Sequence, residues 1–271
     1  MNTLNILVVV AHPDEAEEYI GGTLIRLAKM GHNIKILTAT NGDVGHLEMD
    51  SVQLPLRRKR EAREAARIMG ISAYEVWDEH DGFLMDTVEL RRRMLHRVRE
   101  WDTDLVITFH DEGPGHGDNR MAAHLLRSII PLVSLPNSCE GVPALSRTPV
   151  VLRMIDAFST DRHRADSAVA IDSVIDLKLK ACAAHATQFL EFAPAQRGLL
   201  GEVPDTGSWE DTRSFILKYW PEFMETQPEA IEALERRYGN KATGIKYAET
   251  FEIAPYGREI SVEELDRFLP L

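Results

Sequence analysis

Two hydrophobic rhythms alternate along the first half of the chain. Residues Ile6–Val10 are all apolar and mostly β-branched, the pattern of a parallel strand buried on both faces. Gly21 and Gly22 then precede a helical pattern over 23–30 that Gly31 stops. A second strand is expected over 33–40 and a polar loop over 41–50. Residues 55–69 predict a helix, with Pro55 near its start and Gly70 just past its end. The alternation continues with a strand at 73–77, a helix at 88–101, a strand at 104–109, a Gly-rich loop at 110–117 and a helix over about 118–130. Strand and helix in strict turn point to the α/β class, here a Rossmann-like three-layer sandwich with a mostly parallel sheet.

Past residue 135 the rhythm loosens. Residues 149–155 and 167–171 read as further strands, and 173–192 as one helix. Residues 197–271 read as short helices and loops punctuated by Pro204, Pro221, Pro228, Pro255 and Pro270. The expected organisation is a core over 1–190 and a C-terminal extension, 191–271, packed on the same domain.

Composition narrows the function classes. The 271 residues are 44% hydrophobic and 27% charged, as in ordinary soluble domains. A formal net charge of −12 argues against a nucleic-acid partner. The two cysteines, Cys139 and Cys182, form no CxxC pair and suggest no disulfide framework. No apolar run approaches the roughly 18 residues of a membrane span. The first residues lack the basic and long apolar regions of a secretory signal, so a cytoplasmic location is expected. A homo-oligomer is left open.

Charge then falls where an α/β sheet binds ligands, beyond the carboxyl ends of its strands. The first strand ends at His12-Pro13-Asp14-Glu15, the second at Asn41-Gly42-Asp43, the third near Asp78–Asp81, and the fourth at His110–Asn119. Histidine with carboxylates suits a divalent metal better than a nucleotide. Gly113–Gly117 looks like a phosphate loop but is incomplete, and His-Pro-Asp-Glu stands where a dinucleotide fingerprint belongs. Glu17 and Glu18 read as charges favoured at a helix N-terminus. Of the basic run Arg57–Arg60, Arg58 alone is a functional candidate.

These motifs resemble the LmbE/PIG-L family of metal-dependent N-acetylglucosaminyl deacetylases over about residues 4–190. The carriers are "VVVAHPDEAEEYIGG", His116-Gly117-Asp118-Asn119-Arg120, and, in order, "TNGDVGH", "RKREAREAARIMG", "DEHDG" and "KACAAHATQ". The resemblance implies one divalent ion, Zn²⁺ with Mn²⁺ or Mg²⁺ as alternatives, held by His12, Glu15 and Asn119. It implies Asp14 as the general base, His116 as the group that stabilises the oxyanion, and Asp118 as the carboxylate that orients His116. Arg58, Asp81 and His185 match positions that line the substrate pocket. The implied substrate is a small N-acetylated amino sugar or its conjugate. Two ligand positions depart from the family pattern: Glu15 stands for an Asp and Asn119 for a His. A sugar-binding protein that has lost metal-dependent catalysis is therefore the rival reading.

Overall fold

The computed structural model describes residues 3–156, 163–205 and 207–269; Pro270 lies outside them. Its centre is one sheet. The strands are β1 (Asn5–Val10), β2 (Asn33–Thr38), β3 (Ala73–Val76), β4 (Leu105–Thr108), β5 (Val150–Met154), β6 (Ser167–Ala170) and β7 (Ala248–Ile253). They lie in the order β3-β2-β1-β4-β5-β7-β6. β1 to β5 pair in parallel, and β7 runs antiparallel to both of its neighbours. Strand β1 shows why the sheet needs cover on both faces. Ile6, Val8 and Val10 join one hydrophobic cluster, and Leu7 and Val9 the other.

The helices supply that cover. α1 (Glu15–Lys29), α2 (Gln53–Met69) and α5 (Ile175–Ala184) pack on the first face, while α3 (Val88–Glu100) and α4 (Gly117–Ile129) close the second. Local chemistry sets their ends. The Thr87 hydroxyl accepts the Leu90 amide at the start of α3, and Gly70, at φ 75°, terminates α2 in a left-handed cap. Four more α-helices follow among the described residues: α6 (Ala193–Gln196), α7 (Trp209–Tyr219), α8 (Ile231–Tyr238) and α9 (Val262–Phe268). Among the described residues no helix is long and apolar enough to cross a membrane.

The structure differs from the sequence reading at three places. Helix α1 begins at Glu15 and runs through Gly21 and Gly22, with a kink at Ile20 (φ −136°, ψ 15°). The kink frees two amides. Gly22 and Thr23 donate them to the Glu249 carboxylate of β7, at 2.9 and 2.7 Å. Lys178 of α5 completes the clamp, 2.8 Å from Glu249 Oε1. The expected single helix 173–192 breaks at His185, and residues Thr187–Phe192 continue as a π-helical turn. Finally, the extension contributes a strand, β7, that the reading of short helices and loops did not contain.

Candidate active site

Strand order places the site. The chain leaves β1 for β2 and β3 on one side, and β4 lies on the other. The crevice between β1 and β4 is therefore the topological switch point, where α/β sheets bind ligands. A cavity of about 300 Å³ opens there, lined by His12, Asp14, Glu15, Arg58, Asp81, His116 and Asn119 among others.

His12 is the hub. Its Nδ1 lies 2.9 Å from Glu15 Oε1, and its Nε2 lies 3.0 Å from Asp81 Oδ1 and 3.6 Å from Asp118 Oδ2. The His116 ring stands edge-on to it, centroids 4.7 Å apart. Burial alone would lower the His12 pKa. The charge of Glu15 and contacts with Asp118 and Asp81 outweigh it, and hold the imidazole well above its usual range. Burial pushes Asp81 and Asp118 upward, but His12, helped by Arg58 and His116 at Asp81 and by the Gly82 and Leu84 amides at Asp118, outweighs it and leaves both below the ordinary carboxylate range.

The expected residues fall into distinct positions. Ligand atoms of His12, Asp81 and His116 lie within 4.8 Å of one another. Asp81, expected on the substrate, thus stands at the metal-capable face of His12. Glu15, expected as a ligand, turns back on its own loop: Oε2 accepts the amides of Ala11 and His12 at 2.9 and 2.8 Å, and Oε1 faces His12 Nδ1. Asn119 lines the cavity, and its buried Oδ1 has no hydrogen-bond partner among the described residues. A buried acceptor left unpaired is costly, which fits an oxygen reserved for a cation.

The Asp118 carboxylate makes no hydrogen bond to the His116 ring. It accepts the amides of Gly82 and Leu84 at 2.7 and 3.1 Å, fixing the loop that carries Asp81. The His116 ring is held instead by the backbone: Asp118 N–H donates to Nδ1 at 3.3 Å, and His116 caps α4. A helix start offers free amides, and the nearest acceptor takes one.

Asp14 sits at φ 123°, outside the region comfortable for a side-chain-bearing residue. Arg58 braces it. The guanidinium donates to Pro13 O at 2.6 Å, Gly42 O at 3.1 Å and Asp14 Oδ2 at 3.2 Å, and is 2% exposed. Gly42 permits this approach; a Cβ there would lie 2.3 Å from Arg58 Nη1. Burial, opposed by Arg58 and His185, pushes the Asp14 carboxyl up to about 6.

His185 needs correction. It has no exposed surface, lies 3.4 Å from Glu17 Oε1, and is absent from the cavity wall. Its neighbour Gln188 reaches the cavity instead, anchored to Gly45 O at 2.9 Å. Glu17 stands in the first turn of α1, as expected of a helix N-terminal charge, and is fully buried against His185.

Sequence reasoning missed the far wall. Phe189, Phe192, Trp220 and Phe223 line it, with Arg197 stacked on Trp220 at 5.1 Å. Their signal was the concentration of aromatic residues between 189 and 223 in a chain only 7% aromatic.

Comparison with known proteins adds to this geometry. The family described as PIG-L, GlcNAc-PI de-N-acetylase, matches residues 7–130. A diacetylchitobiose deacetylase of Thermococcus kodakarensis is 28% identical over 190 residues, 69% of this chain and 70% of that protein. A probable N-acetyl-α-D-glucosaminyl L-malate deacetylase of Bacillus anthracis is 23% identical, covering 79% of this chain and 95% of its own. Among solved structures, the N,N'-diacetylchitobiose deacetylase of Pyrococcus horikoshii superposes with a TM-score of 0.69 at 23% identity, over 92% of this chain and 83% of that one. The 4-carboxy-2-hydroxymuconate hydratase of Pseudomonas putida KT2440 gives 0.70 at 21%, over 96% and 99%. These two structures share the fold.

Proposed function

We propose that the protein, whose residues 7–130 match the PIG-L family, is a metal-dependent hydrolase that removes the N-acetyl group from an N-acetylglucosamine-type sugar or its conjugate. The carrying observation is the donor set at the switch point: His12 and Asp81, 3.0 Å apart, line one cavity with Asp14 and with Asn119, whose Oδ1 is unpaired among the described residues. The deacetylase relatives support the reading. The hydratase of similar fold means that the chemistry must be argued from the site.

His12, Asp81 and Asn119 would hold one divalent ion, with Zn²⁺ the best match to a nitrogen and oxygen donor set. Bound there, the ion supplies Lewis-acid polarisation of the acetyl carbonyl. Glu15 fixes the His12 ring through Nδ1 and leaves Nε2 toward the ion, as carboxylates do behind metal-bound histidines. Asp14 takes the proton of the attacking water and returns it to the departing amine. Arg58 keeps Asp14 in its strained position, so the base needs no rearrangement. His116, the solvent-exposed member of the trio, donates to the developing oxyanion. The aromatic wall stacks against the sugar, and Gln188 and Arg197 offer it polar contacts.

The test is acetate release from N,N'-diacetylchitobiose and simpler N-acetylglucosamine derivatives. Activity should vanish on chelation and return with Zn²⁺. His116→Ala should keep zinc but depress kcat far more than it raises KM. Zinc lost with His116 would make that residue a ligand. Sugar binding without acetate release, with or without metal, would favour a binding protein instead.

A further inference from the structure

A second group of donors lies away from this cavity. His110 follows β4, His163 precedes β6, and Glu252 lies in β7. His110 Nε2 is 3.2 Å from His163 Nδ1 and 3.5 Å from Glu252 Oε2, and His163 Nδ1 is 3.9 Å from the same oxygen. In a tetrahedral site with bonds of about 2.0–2.1 Å, ligand atoms stand roughly 3.3 Å apart. The three atoms therefore already form, nearly at size, one face of a metal tetrahedron.

We propose that His110, His163 and Glu252 form a second divalent-metal site, of the two-histidine, one-carboxylate kind that suits Zn²⁺. The surroundings orient the ligands. His163 Nε2 lies 3.0 Å from Thr250 Oγ1, so a proton on Nε2 leaves the Nδ1 lone pair facing the other two donors. The Arg164 amide donates to Glu252 Oε2 at 2.8 Å, and Arg153 pairs with Oε1. Oε2 keeps a second lone pair for an ion. Arg153, Arg164 and Arg127 are cations nearby. Arg164 is paired with Asp166 and Arg127 with Asp111, while Arg153 pairs with Glu252 itself and would share that carboxylate with the ion. A cavity of about 310 Å³ touches His110, Asp111, Arg127 and Arg153, and gives access for the ion and room for water as fourth ligand.

Such an ion would tie β7 and the chain entering β6 to the end of β4. That is where the antiparallel strand joins the parallel sheet. The site uses none of the residues assigned to deacetylation. The test is zinc stoichiometry of chelator-stripped protein by equilibrium dialysis. Wild type should take up two ions, and His110→Ala and His163→Asn one each, with acetate release retained. His12→Ala should also take up one, and zinc should still raise its melting temperature. That rise should disappear in the His12→Ala, His110→Ala double variant. Zinc uptake unchanged in both His110→Ala and His163→Asn, each folded by circular dichroism, overturns the proposal. So does a His12→Ala protein that binds no zinc. One ion in wild type, kept by His12→Ala and lost by His110→Ala, would uphold this site and remove the other.

Discussion

At the scale of single residues, the site rests on side chains whose ordinary partners have been withheld or overcommitted. Asn119 Oδ1 is buried and unpaired, while both Glu15 oxygens are engaged. If the amide oxygen faces the ion, Asn119→His replaces a weak donor by imidazole. Zinc affinity should then rise roughly 10-fold or more, read by chelator competition; unchanged affinity would place Asn119 elsewhere. Asp14→Asn preserves shape and the contact with Arg58 but cannot accept the proton. It should lower kcat by about 10²-fold or more, with the melting curve little changed. A folded variant with full turnover would remove Asp14 from the chemistry.

Among elements, α1 carries the largest disagreement between local propensity and observed structure. Glycines weaken helices, yet Gly21 and Gly22 lie inside this one. The reason lies across the interface. A Cβ on Gly22 would stand 2.6 Å from Ile171 Cγ2 and 2.7 Å from its Cβ, whereas one on Gly21 meets nothing nearer than 3.4 Å. The two positions should separate under mutation. Gly22→Ala should destabilise by about 1–3 kcal/mol through overpacking. Gly21→Ala should stabilise by about 0.5–1 kcal/mol through helix propensity. Denaturant unfolding of both variants measures the difference, and equal effects would show that close packing does not explain the pair.

For the whole molecule, the decisive feature is that β7, near the end of the chain, lies between β5 and β6. Its Glu249 clamps α1 and α5, and its Glu252 pairs with Arg153 of β5. A chain ending at residue 247 would leave Lys178 and Arg153 without these carboxylates and split the sheet. An unpaired buried charge costs about 3–5 kcal/mol, a large share of an ordinary domain's stability. That truncation should therefore lack a cooperative thermal transition and near-ultraviolet circular dichroism. Cooperative unfolding of the shortened chain would show that the first 247 residues are self-sufficient.

Sequence by itself determined what depends on near neighbours. Apolar runs marked β1 and β4, apolar positions interrupted by Lys35 marked β2, helical spacing marked α2 to α4, and the charges after those strands marked the mouth of the site before any contact was known. The hidden part depended on partners distant in the chain. Ala248–Ile253 contains two glutamates, a poor sign for a central strand. Both are 3% exposed because Lys178, Arg153 and two amides of α1 come to meet them. Asp81 could be placed near the pocket, but only folding set it 3.0 Å from His12. His185 lies in a recognisable motif, yet only packing shows that it faces Glu17 rather than the cavity. Periodicity records which face of an element is apolar. Which buried charge meets which is decided by the tertiary structure, because a charge in the interior is tolerable only where a partner arrives.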